Sequence, residues 1–350
     1  MTTTRTETST MNIPFPLRDR GALPGRRALL ALAIGLCMGA VCGPAFAQAY
    51  PTRQPIRLVV PYAPGGSTDN TARLIGKGLS EQLGQAVVVE NRAGAGGSTG
   101  QDVVAKSPAD GYTLLFSAAG PLSVTPHIYA RLPYDPINGF DFIMLVATQP
   151  LLLVVNPSLK ANSVEELVKL ANARPANEKL NYGSFGNGSA AHLAGEYFKR
   201  LAKVEMVHVP YKGSGPALIG LVGGQIDLMF DVFSTAAPLA KAGKLRALAI
   251  TSTERSPQFP DVPTMQQAGV AGFEAGTWFG VLGPAGLPKP VLDQLSKALN
   301  VVIALPEVRD SLSAQGAEVR GGTPEQFRRF FTAEYDKWGR IVKSANITAD

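Results

Sequence analysis

The sequence predicts an α/β protein of two similar lobes, each a mostly parallel sheet flanked by helices. Three observations lead there. Apolar, β-rich runs alternate with amphipathic segments from Ile56 onward, the order that builds parallel, doubly wound sheets. A fresh series of the same kind begins after Gln149-Pro150. A strand-like run over 277–282 then leads back to the first series, followed by three closing helices. Two crossings between lobes imply a cleft with a hinge behind it. The chain divides into a leader over 1–47, a first lobe of 48–150 plus 272–350, and a second lobe of 151–271.

The leader comes first, because it is no part of the mature fold. Arg26 and Arg27 precede an apolar run over 28–41, and Ala45-Phe46-Ala47 follows Gly43-Pro44. These are the charged, apolar and small-residue parts of a secretory signal, with cleavage expected near Ala47 and export from the cytoplasm. Gly35 and Gly39 interrupt the run, and it falls short of the roughly 20 apolar residues a membrane span needs. Both cysteines, Cys37 and Cys42, lie inside it, so the mature chain is expected to have no disulfide and no thiol-based metal site.

The leader holds five arginines against Glu7 and Asp19, so half of the net charge of +6 belongs to it and the mature part carries +3. No cluster of basic residues interleaved with aromatics accompanies that mild excess, and nucleic-acid binding is not expected. With 45% apolar residues in 350, the chain can build an ordinary hydrophobic core.

In order, Ile56–Pro61 reads as a strand buried on both faces, and Asp69–Leu83 as a helix presenting Ala72, Leu74, Ile75, Leu79 and Leu83. Residues 86–90 form the next strand, 101–106 a short helix and 112–117 a third strand. Two apolar runs over 142–156 flank Gln149-Pro150. The second series opens with a helix over 163–173, with Ser163 as N-cap and Glu166 three residues on, a capping box. Leu180–Ser184 is a strand and 190–201 a helix; the alternation continues through 207–211, 216–222, 226–232, 235–242 and 246–251. The closing helices are expected over 290–304, 307–314 and 324–345.

Two turns in this series suggest a binding site. Pro61–Asp69 contains Tyr62, Ala63, Gly65, Gly66, Ser67 and Thr68 between a buried strand and a helix. Such a turn leaves backbone N–H groups unpaired at the positive end of a helix dipole, and its glycines let a ligand reach the main chain. That is an anion site needing no arginine. The second lobe repeats it as Ser184, Gly186, Asn187, Gly188 and Ser189 before the next helix. One such loop per lobe could hold one anion from both sides. Asp231 ends an apolar strand and could meet a ligand or cap a helix, while Lys212 sits in a turn where lysines are usually solvated.

Catalytic and metal readings are weaker. Gly96-Gly97-Ser98-Thr99-Gly100 matches the G-x-S-x-G pattern of a hydrolase elbow, but 91–95 separates Ser98 from its strand and no histidine follows His208. His192 and Glu196 share a helix face at metal-edge spacing without an evident third ligand. No nucleotide loop is completed, and no cofactor is expected.

Taken together, YPTRQP at 50–55, LVVPYAPGGSTDNTAR at 58–73, VVENRAGAGGSTG at 88–100, ADGYTLL at 109–115, LPYDP at 132–136, LNYGSFGNGSAAHL at 180–193 and VPYKGSGPALIGLVGGQID at 209–227 resemble one family. They are similar to the extracytoplasmic solute receptors of tripartite tricarboxylate transporters, the Bug receptors, over essentially the whole mature chain. The resemblance implies a two-lobed Venus-flytrap receptor (periplasmic binding protein, type II-like) and no enzyme. It implies that a carboxylate is held, partly through ordered water, between the Tyr62–Thr68 and Ser184–Ser189 loops, with Ser117 and Asp231 lining the cleft. The implied ligand is a small organic acid, and the implied partner is a transporter with one large and one small membrane subunit, served by a monomeric receptor. One departure is that Ser117-Ala118-Ala119-Gly120-Pro121 is more apolar than the family's turn, which puts a Ser117 hydrogen bond in doubt. A serine hydrolase using Ser98, or a sensory receptor of the same fold docking on a signalling ectodomain, are the alternatives.

Overall fold

The computed structural model describes residues 50–345; the expected leader lies outside the described residues. The first three strands are β1 (Ile56–Val60), β2 (Val87–Asn91) and β3 (Thr113–Ala118), with β1 central and parallel to both neighbours. Between them run α1 (Ser67–Leu83) and α2 (Ser98–Ala105). Helix α1 starts two residues before the sequence suggests, because Gly66, in extended backbone, acts as its N-cap. It buries Ala72, Ile75 and Leu79 and ends on the left-handed Gly84. A turn over 120–124 and the short α3 (Thr125–Ile128) follow β3.

The region around Gln149-Pro150 corrects the expectation of two separate runs. It is one 16-residue strand, β4 (Phe140–Val155). Its first part pairs antiparallel with β9 (Gly276–Pro284) as far as Pro150 opposite Gly276. From Leu151 it pairs antiparallel with β7 (Leu228–Val232) and β8 (Arg246–Ile250). Proline lacks an N–H for a ladder, and here it stands where one set of partners gives way to another.

The second series comprises α4 (Val164–Ala173), β5 (Leu180–Ser184), α5 (Ala190–Ala202), β6 (Met206–Pro210), α6 (Ser214–Val222), β7, α7 (Phe233–Lys241) and β8. Strand β5 is parallel to β6 and β7, repeating the β2-β1-β3 arrangement. Ser163 caps α4 by accepting from Glu166 N–H at 3.1 Å, while Glu166 reaches back to the N–H of Asn162 at 2.7 Å, one residue earlier than in the standard box. Replacing Ser163 with Ala should lower stability by about 1 kcal/mol; a urea midpoint unchanged from wild type would contradict this assignment.

Strand β9 returns to lie between β3 and β4, so all the strands share one curled sheet. The chain ends with α8 (Lys289–Ala304), α9 (Pro306–Ala314), β10 (Glu318–Val319) and α10 (Pro324–Ala345). Helix α10 seals the β4–β9 face with Phe327, Phe331 and Trp338, each about 1% exposed. Gly280 on β9 leaves the space that the Phe327 ring fills, since a Cβ there would come within 2.3 Å of it.

Candidate functional site

Four helix N-termini gather around the turns that the sequence singles out. The turn after β1 is braced from below. Asp69 accepts from Gly65 N–H at 3.0 Å, and Asn91 donates both to Asp69 at 2.9 Å and to the Tyr62 carbonyl at 3.0 Å. Burial pushes the Asp69 carboxyl up, but Arg73, Gly65 N–H and Asn91 together hold it below the usual carboxylate range. Gly65 takes φ +81°, a left-handed conformation that favours glycine at this turn. No side chain caps α1, so the first-turn amides at Ser67 and Thr68, both buried, have no intrahelical acceptor. The Tyr62 phenol is also buried; desolvation and then the nearby Tyr134 raise its pKa well beyond the usual phenol range, keeping it a protonated donor.

The turn after β5 is organised by its own side chains. Ser184 Oγ accepts from Gly186 N–H at 3.1 Å and lies 2.6 Å from His208 Nε2. Ser189 Oγ caps α5 by accepting from His192 N–H at 3.3 Å, and Gly188 N–H donates to His192 Nδ1 at 3.2 Å. Burial, with His208 and Lys199 nearby, drives the His192 pKa down to about 3, so its ring stays a neutral acceptor. The hydroxyls of Ser184 and Ser189 are therefore turned to protein partners. So is Ser117 on β3, fully buried and 2.5 Å from Gln101 Nε2. Asn187 Oδ1 is buried with no protein partner among the described residues.

The sequence suggests that the two turns act as a pair, but not the contacts through which they meet. The β1 turn seats against the start of α6: Ala63 N–H donates to the Lys212 carbonyl at 3.0 Å. A Cβ on Gly66 would lie 3.4 Å from Ser214 Cβ, and one on Gly213 would lie 3.2 Å from Ala63 N. The β5 turn seats instead against Gly96, whose Cβ would fall 2.0 Å from the Asn187 carbonyl oxygen. The two turns meet at Gly120, where an added Cβ would lie 3.1 Å from the Tyr62 hydroxyl and 2.9 Å from Ser189 Cα. Gly96, Gly120, Gly213 and Ser214 thus belong to the site by position. The sequence singles out Gly96 only in the G-x-S-x-G match and the 88–100 segment, Gly120 only in the turn at 117–121, and Gly213 and Ser214 only within the 209–227 segment. The site is lined by amides and hydroxyls, while Lys212 is exposed and Arg73 is engaged with Asp69.

Ser98, at the start of α2, is buried and hydrogen-bonded to Tyr134. The three histidines are engaged elsewhere: His127 with the Tyr335 carbonyl, His192 with Gly188 and His208 with Ser184. Glu196 accepts from Tyr182 and Lys199, so the His192–Glu196 spacing marks a packed polar face. Asp231 is fully buried, its oxygens accepting from Ser214 and Thr235 at 2.7 Å each.

The family described as "Tripartite tricarboxylate transporter family receptor" matches residues 71–347. The chain belongs to that family. Solved structures agree with the receptor fold. Periplasmic binding protein BugD is 36% identical, with a TM-score of 0.81 over 85% of this chain and 99% of its own. Rpa4515 of R. palustris, solved with adipate, is 39% identical with a TM-score of 0.82 over 85% and 99%. MatC of Rhodopseudomonas palustris, solved with bound malate, is 33% identical with a TM-score of 0.80 over 83% and 99%. This receptor family is one of periplasmic binding proteins, and its two-lobed α/β architecture is that of the present chain.

Proposed function

We propose that this receptor captures a small organic acid by its carboxylate between the two turns and delivers it to the membrane subunits of a tripartite transporter. One observation carries the reading: the turn before α1, whose first-turn amides no side chain caps, meets the turn before α5 at Gly120, beside the Tyr62 hydroxyl and Ser189, with no cation from the described residues inside the site. Amide donors fixed in a water-poor site bind an anion strongly because they need no reorganisation. The ligand contacts are assigned to Tyr62, Ala63, Gly65, Gly66, Ser67 and Thr68 on one side and to Gly186, Asn187, Gly188 and Ser189 on the other. The lobes are 48–150 with 272–350, and 151–271, hinged where β4 exchanges partners. Export by the 1–47 leader, a monomeric state and a large and a small membrane partner complete the reading. It is non-enzymatic, because Ser98 serves Tyr134 rather than a histidine.

Dicarboxylates are expected to be the best ligands, since Rpa4515 and MatC were solved with adipate and malate. In a thermal-shift screen of mono-, di- and tricarboxylates and aromatic acids, a ligand at a hundredfold its Kd should raise Tm by on the order of 5 °C. A panel in which no acid shifts Tm removes the proposal.

A further inference from the structure

Asp231 is the one fully buried carboxylate at this site among the described residues, and the ligand contacts assigned above do not include it. It lies near the end of β7, with the hydroxyls of Ser214 and Thr235 donating to separate carboxylate oxygens at 2.7 Å. Ser214 is the first residue of α6, and its Cβ is 3.4 Å from the place where a Cβ of Gly66 would be. One serine therefore separates this carboxyl group from the amides at the start of α1. Both side-chain partners are hydroxyls, which can donate to a carboxylate or turn to accept from a carboxylic acid, and the Val232 N–H adds a backbone donor. The pocket thus accommodates either protonation state.

Asp69, buried on the opposite side of the same contact, is the useful comparison. It has Arg73 at 2.9 Å to offset its charge. Asp231 has no such partner among the described residues, and burial pushes its carboxyl up to about 6 against the pull of Thr235, Ser214 and the Val232 N–H.

The surrounding described elements bring no compensating ion. Residues 151–155 of β4 are apolar, α6 carries no titratable side chain, and α7 carries only Lys241 at its end. On β5, Tyr182 stacks against His208, and on β8 Arg246 is held by the carbonyls of Pro157, Leu159 and Ala161. On α5, His192 accepts from Gly188, and Glu196 pairs with Lys199 while Arg200 lies in the last turn. Across the contact stand Asp69 with Arg73, and Lys212 is exposed.

We propose that Asp231 makes solute capture proton-linked: ionised, it opposes the carboxylate arriving at the α1 amides, so the bound state takes up a proton at Asp231. This rests on the receptor reading above. The role is one of electrostatic positioning through Ser214, not direct ligand contact. The sign follows from linkage. An anion nearby raises the Asp231 pKa further, so affinity is level below its free-state value and falls as pH rises through the window between the free and bound values.

The test is calorimetry of the full mature receptor with malate and with adipate from pH 6.5 to 8.5, in two buffers of different ionisation enthalpy. Wild type should lose about tenfold in affinity across that range and take up a fraction of a proton per ligand near pH 7. Asp231→Asn, which fixes the neutral form, should bind equally tightly throughout and take up none. Affinity independent of pH with no proton uptake in wild type overturns the proposal alone, whether or not the variant folds. A wild-type pH profile that persists unchanged in Asp231→Asn does the same. Failure of both acids to bind wild type at any pH overturns the receptor reading with these ligands, and this proposal with it.

Discussion

Replacing Gly96 with Ala is expected to lower affinity for the bound acid at least about a hundredfold, an effect near 2.7 kcal/mol. The added Cβ would stand 2.0 Å from the Asn187 carbonyl oxygen and 3.2 Å from its carbonyl carbon. These are backbone atoms, so no rotamer change relieves the overlap; the β2–α2 turn and the β5 turn must move apart. Gly96 also holds φ +62°, and an alanine there costs on the order of 1 kcal/mol whatever its surroundings. Gly84→Ala separates the two causes. Gly84 has a similar φ of +64° with nothing within 4 Å of an added Cβ, so that variant should lose a little stability and no affinity. Isothermal titration of both variants with malate or adipate decides the matter. Undiminished affinity in Gly96→Ala would show that the contact at Asn187 is not part of capture.

The second large effect is on stability. Trp278, 1% exposed on β9, stands edge-on to Phe327 at 5.5 Å and to Phe330 at 6.2 Å on α10. Trp278→Ala should cost about 3–5 kcal/mol, seen as a lower urea midpoint at unchanged slope. Its indole nitrogen has no protein partner among the described residues, so truncation strands no hydrogen bond and the loss is one of packing alone. A change below about 1 kcal/mol would mean that this face of β4–β9 does not depend on α10 for its cover.

Both effects depend on contacts between distant segments, which the sequence carries only in part. The elements with strong local signals were legible: β5 coincides with Leu180–Ser184, and Ser163 caps its helix as the spacing implies. Where the signal was local but incomplete, boundaries moved. Helix α2 begins at Ser98 rather than Gln101, because left-handed Gly96 and Gly97 turn the chain directly into it. The two residues of β10 are too few to carry a period, and only their pairing with Thr148 and Ala147 makes them a strand.

The two Gly-rich turns show the same division. Sequence alone determined that two Gly-rich turns each precede a helix and that the first-turn amides there have no intrahelical acceptor, and from this came the expectation of an anion site without lysine or arginine. These follow from φ freedom and helix polarity, which are properties of a few consecutive residues. Tertiary structure decided that Gly120 stands where the turns meet, that Gly96 backs the β5 turn, and that the hydroxyls of Ser184 and Ser189 are taken by protein partners. It also decided that the buried carboxyl without an ionic partner among the described residues lies behind Ser214. Such relations depend on distances between residues far apart in the chain and on the removal of water, and no local pattern encodes either.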